Sequence, residues 1–332
     1  MLAASPFAVA IVTLVVLRWS GLRAGLATLA VAMVTAGTAP SDLVASLVGG
    51  SGTAARVLYV LFGGLLLFRI LSASGAIDSV SEFLSSVEPR PPALALGVVV
   101  GVSPFFESVT GFGVAIVISA PILLAAGFSP LRAAVLAAWG QCAVPWGALA
   151  VGTVLGADLA GLTFQELSDS SALANLLLYP LYGMCALALA GATAALRENG
   201  VEAIVLGLAA GVGTLATSIL LTPELAGALG GLAAVAVFLA RRRSALRAAT
   251  VPARALSPYI VLLGLIAVSS LTGATEALPA ALAPVLEGPG PWLLVAAAFA
   301  AVVLHLGRAR ESGALAGTRS SGHLSRSPRS RS

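Results

Sequence analysis

The chain consists of long apolar runs separated by short segments that carry nearly all of its charged residues. Several runs reach the roughly 20 apolar residues that an α-helix needs to cross a bilayer core, and the ten-residue alternation of barrel strands is absent. The pattern therefore predicts an all-α, polytopic helical membrane protein with broken or re-entrant helices. We expect about ten membrane segments, at residues 3–17, 22–39, 54–72, 92–127, 132–157, 172–195, 201–220, 224–240, 257–273 and 291–307.

Composition and charge support this interpretation. Hydrophobic residues make up 58% of the 332 positions and charged residues only 10%, whereas a soluble domain carries about 25% charged residues. The basic residues are all arginine, which collects in cytoplasmic loops. If the arginine-rich loop 241–256 is cytoplasmic, every arginine except Arg56 and Arg69 lies in cytoplasmic segments, provided that 92–127 turns back to its starting side. The arginine distribution thus predicts that 92–127 is two short spans or a re-entrant pair.

One carboxylate, Glu107, lies in a run of residues, 92–128, that holds no other charge. An ionised side chain at membrane depth costs about 3 kcal/mol or more, and such residues usually face a bundle interior or a water-filled cavity. We therefore expect Glu107 to be functional. The structural alternative is a kinked packing helix in which a neighbouring arginine such as Arg69 pairs with Glu107.

The residues around this carboxylate predict a broken helix. Pro104 cannot donate a backbone hydrogen bond and disfavours helix at Ser103, while Gly111 and Gly113 tolerate conformations that other residues avoid. A helix that restarts near Gly113 offers unpaired N–H groups, and helix N-termini attract anions. The hydroxyl groups of this stretch belong to Ser103, Ser108 and Thr110.

A second irregular region follows at residues 139–147. Gln141 is the only amide in its span, and Pro145 interrupts the helical hydrogen bonding. Two broken segments joined by a short loop resemble the discontinuous helices from which many transporters build sites at the bilayer midplane. The alternative is that Trp139 and Trp146 pack or anchor at the interface, and that Gln141 makes an interhelical hydrogen bond.

These motifs resemble the signature block of the lactate permease family. The likeness is carried by Glu107-Ser-Val-Thr-Gly-Phe-Gly113, by the block 120–133 and by residues 62–76. Weaker matches in order and spacing occur at 222–225, 257–259 and 288–292. We expect residues 1–307 to form a transmembrane permease domain and the Ser/Arg-rich residues 308–332 to form a disordered cytoplasmic tail.

The resemblance implies a permease of the bacterial inner membrane that carries lactate, and often glycolate, together with a proton. By this likeness Glu107 would be the proton-coupling or site-organising acid, and the backbone of Gly111 and Gly113 would lie near the anion. The residues expected to bind substrate are Ser103, Ser108, Thr110, Gly111, Phe112, Gly113 and Gln141.

The chain departs from the family pattern at positions where substrate specificity would be set. Ser108 replaces the usual glycine, and Gln141 stands where the family more often has asparagine. Val114 and Ala115 replace a threonine–proline pair. Family members also continue beyond this chain with further spans. The alternative to a transporter is therefore a truncated, non-transporting membrane subunit, or a half-transporter that pairs with a second half or forms a homo-oligomer.

Other classes of function are not indicated by the sequence. His305 and His323 lie far along the chain from Glu107, and no nucleophile–base pair or metal-ligand cluster occurs, so we expect neither an enzyme nor a cofactor or metal. The high pI reflects arginines in predicted cytoplasmic segments rather than nucleic-acid binding. The expected partners are the lipid bilayer, protons and a small carboxylate.

Overall fold

The computed structural model describes residues 4–37, 40–142, 144–272 and 288–304. Helix is the only regular secondary structure in these residues, as the apolar runs predict. The helices are α1 (Ser5–Ile11, followed by a π-helical turn, Val12–Val16), α2 (Gly21–Ala36), α3 (Pro40–Ala73), α4 (Ala76–Val87), α5 (Pro91–Gly97), α6 (Ser103–Thr110), α7 (Val114–Ala125), α8 (Pro130–Trp139), α9 (Gly147–Ala160), α10 (Phe164–Leu220), α11 (Ala226–Ala240), α12 (Arg243–Ala248), α13 (Ala253–Thr272) and α14 (Gly290–Leu304). The predicted tail, 308–332, lies outside the described residues.

Five of these helical segments are long and apolar enough to cross a membrane. They are Val44–Ala73, Pro91–Thr110, Phe164–Leu220, Pro223–Ala240 and Ala253–Thr272. Shorter apolar helices occupy Ser5–Val16, Gly21–Ala36, Val114–Ala125, Pro130–Trp139, Gly147–Ala160 and Gly290–Leu304. The all-helical architecture is confirmed in the described residues, whereas the expected number of about ten membrane segments stays a prediction.

The longest helix, α10, consists of two antiparallel arms joined by a sharp turn. Gly191 and Ala192 leave helical geometry, with φ values of −158° and 54°. The arms approach closely where side chains are missing: a Cβ on Gly207 would meet the backbone of Pro180. The two arms correspond to the predicted spans 172–195 and 201–220. The connection between those spans was predicted at 196–200, but these residues are helical and the turn lies earlier.

The chain divides into two compact units, Met1–Val57 and Leu58–Ser332. In the first unit α1 packs against α2. In the second unit residues 93–110 are all buried, whereas the most apolar 18-residue windows of the other candidate spans are half buried or less. The helices α10 and α11 contact it along its length. This buried segment, which contains Glu107, is therefore the centre of the second unit.

The sequence interpretation missed α4, a short amphipathic helix. Its apolar face, formed by Val80, Phe83 and Leu84, is buried, whereas Asp78 and Glu82 are exposed. The helical spacing of the apolar positions was visible in the sequence, but the segment is too short and too polar to register as a membrane span.

A buried ionic network follows the end of α4. The Glu88 carboxylate accepts hydrogen bonds from Arg90 Nη2 at 2.8 Å and from Arg242 Nε at 2.6 Å. Arg242 Nη1 donates to Glu202 Oε1 at 2.6 Å, and the guanidinium carbon lies 3.7 Å from the ring centroid of Phe238. The side chains of Arg242 and Glu88 are only 8% and 2% exposed. The network connects the end of α11 to α10 and to the linker between α4 and α5.

Candidate functional site

The helical path through the centre of the second unit is interrupted at residues 111–113. Gly111, Phe112 and Gly113 all adopt positive φ, at 65°, 56° and 81°. The chain reverses here, because Ser119 Oγ on α7 lies 2.7 Å from Ser103 Oγ on α6. The turn-back that the arginine distribution predicts is therefore present. The stretch Val114–Ala125 that follows is only 12 residues long.

The break lies at the glycine end of the predicted stretch 103–113, and Pro104 does not interrupt the helix. Ser103 has helical geometry, with φ −62° and ψ −48°. Pro104 stands in the first turn of α6, and the π-helical turn Val98–Val102 precedes it. A π-helical turn changes the hydrogen-bond register, so the missing N–H of a proline can be accommodated without breaking the helix. Helix therefore persists at Ser103 in spite of Pro104, while the predicted restart near Gly113 is confirmed, since α7 begins at Val114.

The Glu107 carboxylate occupies the N-terminus of α7. Its Oε1 accepts the N–H of Gly113 at 2.9 Å, and its Oε2 accepts the N–H of Ala115 at 3.4 Å. The residue is 8% exposed. The amides at the start of a helix carry partial positive charge, so they stabilise a carboxylate that has little access to solvent. These are the N–H groups that the sequence assigned to an anion.

The alternative in which an arginine satisfies Glu107 is wrong for the described residues. Arg69 is exposed, and the ion pairs of the described chain join other residues. The charge of Glu107 is instead balanced by backbone dipoles.

The hydroxyl groups near Glu107 are buried and bonded to their surroundings. Ser108 Oγ donates to Pro104 O at 2.7 Å, and Thr110 Oγ1 donates to Phe106 O at 2.6 Å. The Ser103 hydroxyl is shared with Ser119, a residue that the sequence interpretation missed because it lies in an apolar run without charge.

The second irregular region lies against the first. A Cβ on Gly140 would lie 2.6 Å from Ser103 Oγ, and a Cβ on Gly147 would lie 3.7 Å from Glu107 Oε1. Between these two glycines, the amide nitrogen and oxygen of Gln141 are buried and have no hydrogen-bond partner among the described residues. The interhelical bond proposed as an alternative for Gln141 is therefore absent there. The structure thus brings both irregular regions to one place in the second unit.

Next to Gly147, three consecutive residues that are not glycine adopt strained, left-handed backbone conformations. Ala148, Leu149 and Ala150 have φ values of 42°, 52° and 74°. Such residues persist in the left-handed region only where their surroundings hold them, at a cost of about 1–3 kcal/mol each. The run touches the first break, since a Cβ on Gly111 would lie 2.5 Å from the Cβ of Ala148. No sequence signal marks this run, because its residues are ordinary helix formers.

The chemistry available at the site consists of one carboxylate, backbone amides, hydroxyl groups and one free amide side chain. No group of three or more metal-ligating side chains occurs in the described part of the chain. A carboxylate can in principle take up a proton, and amides at a helix N-terminus favour anions, whereas none of these groups forms a nucleophile with an adjacent base.

Curated proteins with similar sequences are named as L-lactate permeases. The sequence is 28% identical over 113 residues to the L-lactate permease of Streptococcus iniae, covering 34% of this chain and 24% of that protein. It is 27% identical over 162 residues to the L-lactate permease of Bacillus subtilis, covering 47% of this chain and 29% of that protein. A putative L-lactate permease of Haemophilus influenzae is 36% identical over 78 residues, or 24% of this chain and 15% of that protein.

These alignments span less than a third of the length of the curated relatives. No solved structure matches the chain significantly. The sequence profile of the L-lactate permease family matches residues 1–281, a range that includes both irregular regions of the site. Since the match extends over most of the 332 residues, the chain belongs to the L-lactate permease family.

Proposed function

We propose that this chain mediates proton-coupled uptake of lactate, or of a related small 2-hydroxy-monocarboxylate such as glycolate, across the bacterial inner membrane. Membership of the L-lactate permease family supports the substrate class. The observation that carries the proposal is the Glu107 carboxylate bound to the N-terminal amides of α7.

Glu107 acts in this proposal as an internal competitor of the substrate. Its carboxylate accepts the N–H groups of Gly113 and Ala115, which are the donors that a substrate carboxylate would use. Protonation neutralises Glu107 and weakens both hydrogen bonds, so the donors become available to the substrate anion.

This exchange couples one proton to one monocarboxylate. The empty site with ionised Glu107 holds one negative charge, and so does the loaded site with protonated Glu107 and a bound anion. Both forms therefore present the same charge to the membrane interior, and neither is penalised relative to the other when the site changes its exposure. A site that held ionised Glu107 and the substrate anion together would carry two like charges at close range.

The other site residues act on the remainder of the substrate. Gln141 has a donor and an acceptor without partners in the described chain, which suits the hydroxyl and carboxyl groups of a 2-hydroxy acid. Phe112 is 50% exposed and offers an apolar surface. Gly111 and Gly113 carry no Cβ and form the turn beside Glu107, where Gly111 is buried and Gly113 is partly exposed. The hydroxyl groups that complete the site belong to Ser103, Ser108 and Thr110.

Uptake of labelled lactate into proteoliposomes, with and without an inward proton gradient, tests the proposal. We expect Glu107→Gln to exchange lactate across the membrane but to lose accumulation driven by the gradient, because the neutral amide resembles protonated Glu107, which leaves the α7 amides available to lactate, but cannot titrate. The matched control is Glu82→Gln, which changes an exposed carboxylate on α4. Accumulation by Glu107→Gln against a lactate gradient would contradict the assigned role.

A second variant separates competition from proton binding alone. Glu107→Asp keeps a titratable group but shortens the side chain by one methylene, so it cannot reach both amides as well. We expect proton coupling to persist while lactate binds more tightly, because its competitor is weaker. An unchanged or weaker lactate affinity in Glu107→Asp would argue against the exchange at α7.

A further inference from the structure

A chain of hydrogen bonds leads from the surface of α10 to the buried indole of Trp146. Trp146 Nε1 lies 2.9 Å from Ser168 Oγ, and Ser168 Oγ lies 2.7 Å from Ser218 Oγ. Ser218 Oγ lies 2.7 Å from Asp169 Oδ1, and Gln165 Nε2 lies 2.9 Å from the same oxygen. Trp146 and Ser168 are fully buried, whereas Asp169 is half-buried.

The direction of this chain follows from which groups can donate. The Asp169 carboxylate only accepts, so Ser218 gives it its single hydroxyl proton. Ser168 must then donate to Ser218, which leaves a lone pair of Ser168 Oγ for the indole N–H of Trp146. Every donor is used once, and the chain ends on a carboxylate, which makes its last bond charge-assisted.

Trp146 lies two residues before the strained run of residues 148–150. On the other side of the run, Thr153 Oγ1 donates to Pro145 O at 2.6 Å. The indole packs with Ala150 and Ala172 in a small apolar cluster. The left-handed run is therefore held at both ends, which is the condition for strained backbone to persist.

The left-handed run 148–150 lies against the proposed transport site, which consists of the Glu107 carboxylate and the break at 111–113. Ala148 contacts Gly111, and Gly147 approaches Glu107 Oε1. A shift of Trp146 would therefore move the backbone that borders the Glu107 carboxylate.

We propose that Trp146, Ser168, Ser218 and Asp169 are positioning residues of the transport site, which hold the left-handed run 148–150 against the break at 111–113. The inference rests on the proposed function for its transport readout and on the hydrogen-bond chain for its structural readout. These residues do not touch the proton or the substrate; they set the geometry in which Glu107 and the substrate anion exchange.

The test compares two substitutions at one half-buried position. Asp169→Ala removes the acceptor at the end of the chain, whereas Asp169→Asn keeps an oxygen that accepts from Ser218 and Gln165. We expect Asp169→Ala to raise the KM for lactate about fivefold, the effect of one lost hydrogen bond, with Vmax within about twofold. Asp169→Asn restores the wild-type KM. The matched control is Ser170→Ala, at an exposed position next along α10.

A second readout requires no substrate. We expect acrylamide to quench tryptophan fluorescence more strongly in Asp169→Ala than in the wild type, because Trp146 loosens. In a Trp146→Phe background the same substitution leaves the quenching of the remaining tryptophans unchanged.

The outcomes separate this inference from the proposed function. A wild-type protein that takes up no lactate contradicts the proposed function, and the quenching comparison still decides whether Asp169 holds Trp146. Equal quenching in Asp169→Ala and wild type, or an unchanged KM in Asp169→Ala, overturns the positioning role. An equal loss in Asp169→Asn and Asp169→Ala overturns it as well, because the charge rather than the acceptor would then matter.

Discussion

Replacing Arg242 by alanine removes the centre of the ionic network between α4, α10 and α11. Arg242 is the only residue of the network that binds both Glu88 and Glu202 in the described chain. Its loss leaves Glu88 with Arg90 alone, and Glu202 with Arg241, whose Nε lies 3.7 Å from Oε1 and whose side chain is 50% exposed.

The expected cost follows from these contacts. Removing one partner of a buried ion pair costs about 3–5 kcal/mol. Because each carboxylate keeps one arginine, we take the lower end of that range. Loss of the stacking of Arg242 on Phe238 adds about 1 kcal/mol. We therefore expect Arg242→Ala to lower the free energy of unfolding of the second unit by about 3–4 kcal/mol.

Thermal unfolding of the purified protein in detergent measures this cost. A change of 1 kcal/mol shifts the Tm of a domain of comparable size by about 2–4 °C, so we expect a decrease of at least about 6 °C. Arg242→Lys should lose about half as much, because an ammonium group cannot hold two carboxylates as a planar guanidinium does. The matched control is Arg243→Ala, at an exposed neighbouring position. Equal Tm values for the Arg242→Ala and Arg243→Ala variants would refute the reasoning.

Two further predictions concern the break and the network. Gly111→Ala should lower the Tm and abolish uptake, because position 111 has φ 65° and its new Cβ would lie 2.5 Å from that of Ala148. The control is Gly152→Ala, whose Cβ meets open space and which should keep the wild-type Tm and uptake. Burial acts to raise the pKa of Glu88, but hydrogen bonds from Arg90 and Arg242 outweigh it and hold this pKa below its ordinary value of 4.5. Ionised Glu88 therefore stabilises the folded state fully above pH 4.5, and this stabilisation is lost as the pH falls through the folded-state pKa. Melting curves between neutral pH and pH 3.5 should show this loss in the wild type and a smaller one in Glu88→Gln, and parallel curves would contradict it.

The turn-back of segment 92–127 could be predicted from the sequence because it follows from charge counting alone. Arginine positions constrain on which side each loop lies, and the parity fails unless the segment reverses. The contact between Ser103 and Ser119 agrees with that reversal. The persistence of helix at Ser103 could not be predicted, because proline disfavours helix only when the hydrogen-bond register is fixed. The π-helical turn Val98–Val102 changes the register, and sequence patterns carry no signal for it.

The second half of the site depends on contacts that no local pattern encodes. Ala148, Leu149 and Ala150 favour helix by propensity, yet they adopt left-handed geometry. The residues that hold them, such as Ser168 and Ser218, lie on the two arms of α10, 50 residues apart in sequence. Only the antiparallel arrangement of those arms brings the two hydroxyl groups together. Residues that act through tertiary contacts of this kind are identified from the structure rather than from their spacing in the sequence.

The α7 amides can bind either of two carboxylates, that of a substrate or that of Glu107. A helix N-terminus favours an anion whatever its source, and the sequence alone predicts a substrate carboxylate at that position. In the structure the carboxylate of Glu107, six residues before Gly113, accepts the N–H of Gly113 and takes this position. Such a loop can close only if the residues between the acid and the helix turn sharply, and the positive φ values at 111–113 provide this turn. The glycines of the break thus reverse the chain and place the Glu107 carboxylate on the α7 amides, which are the groups that the proposed function assigns to the substrate anion.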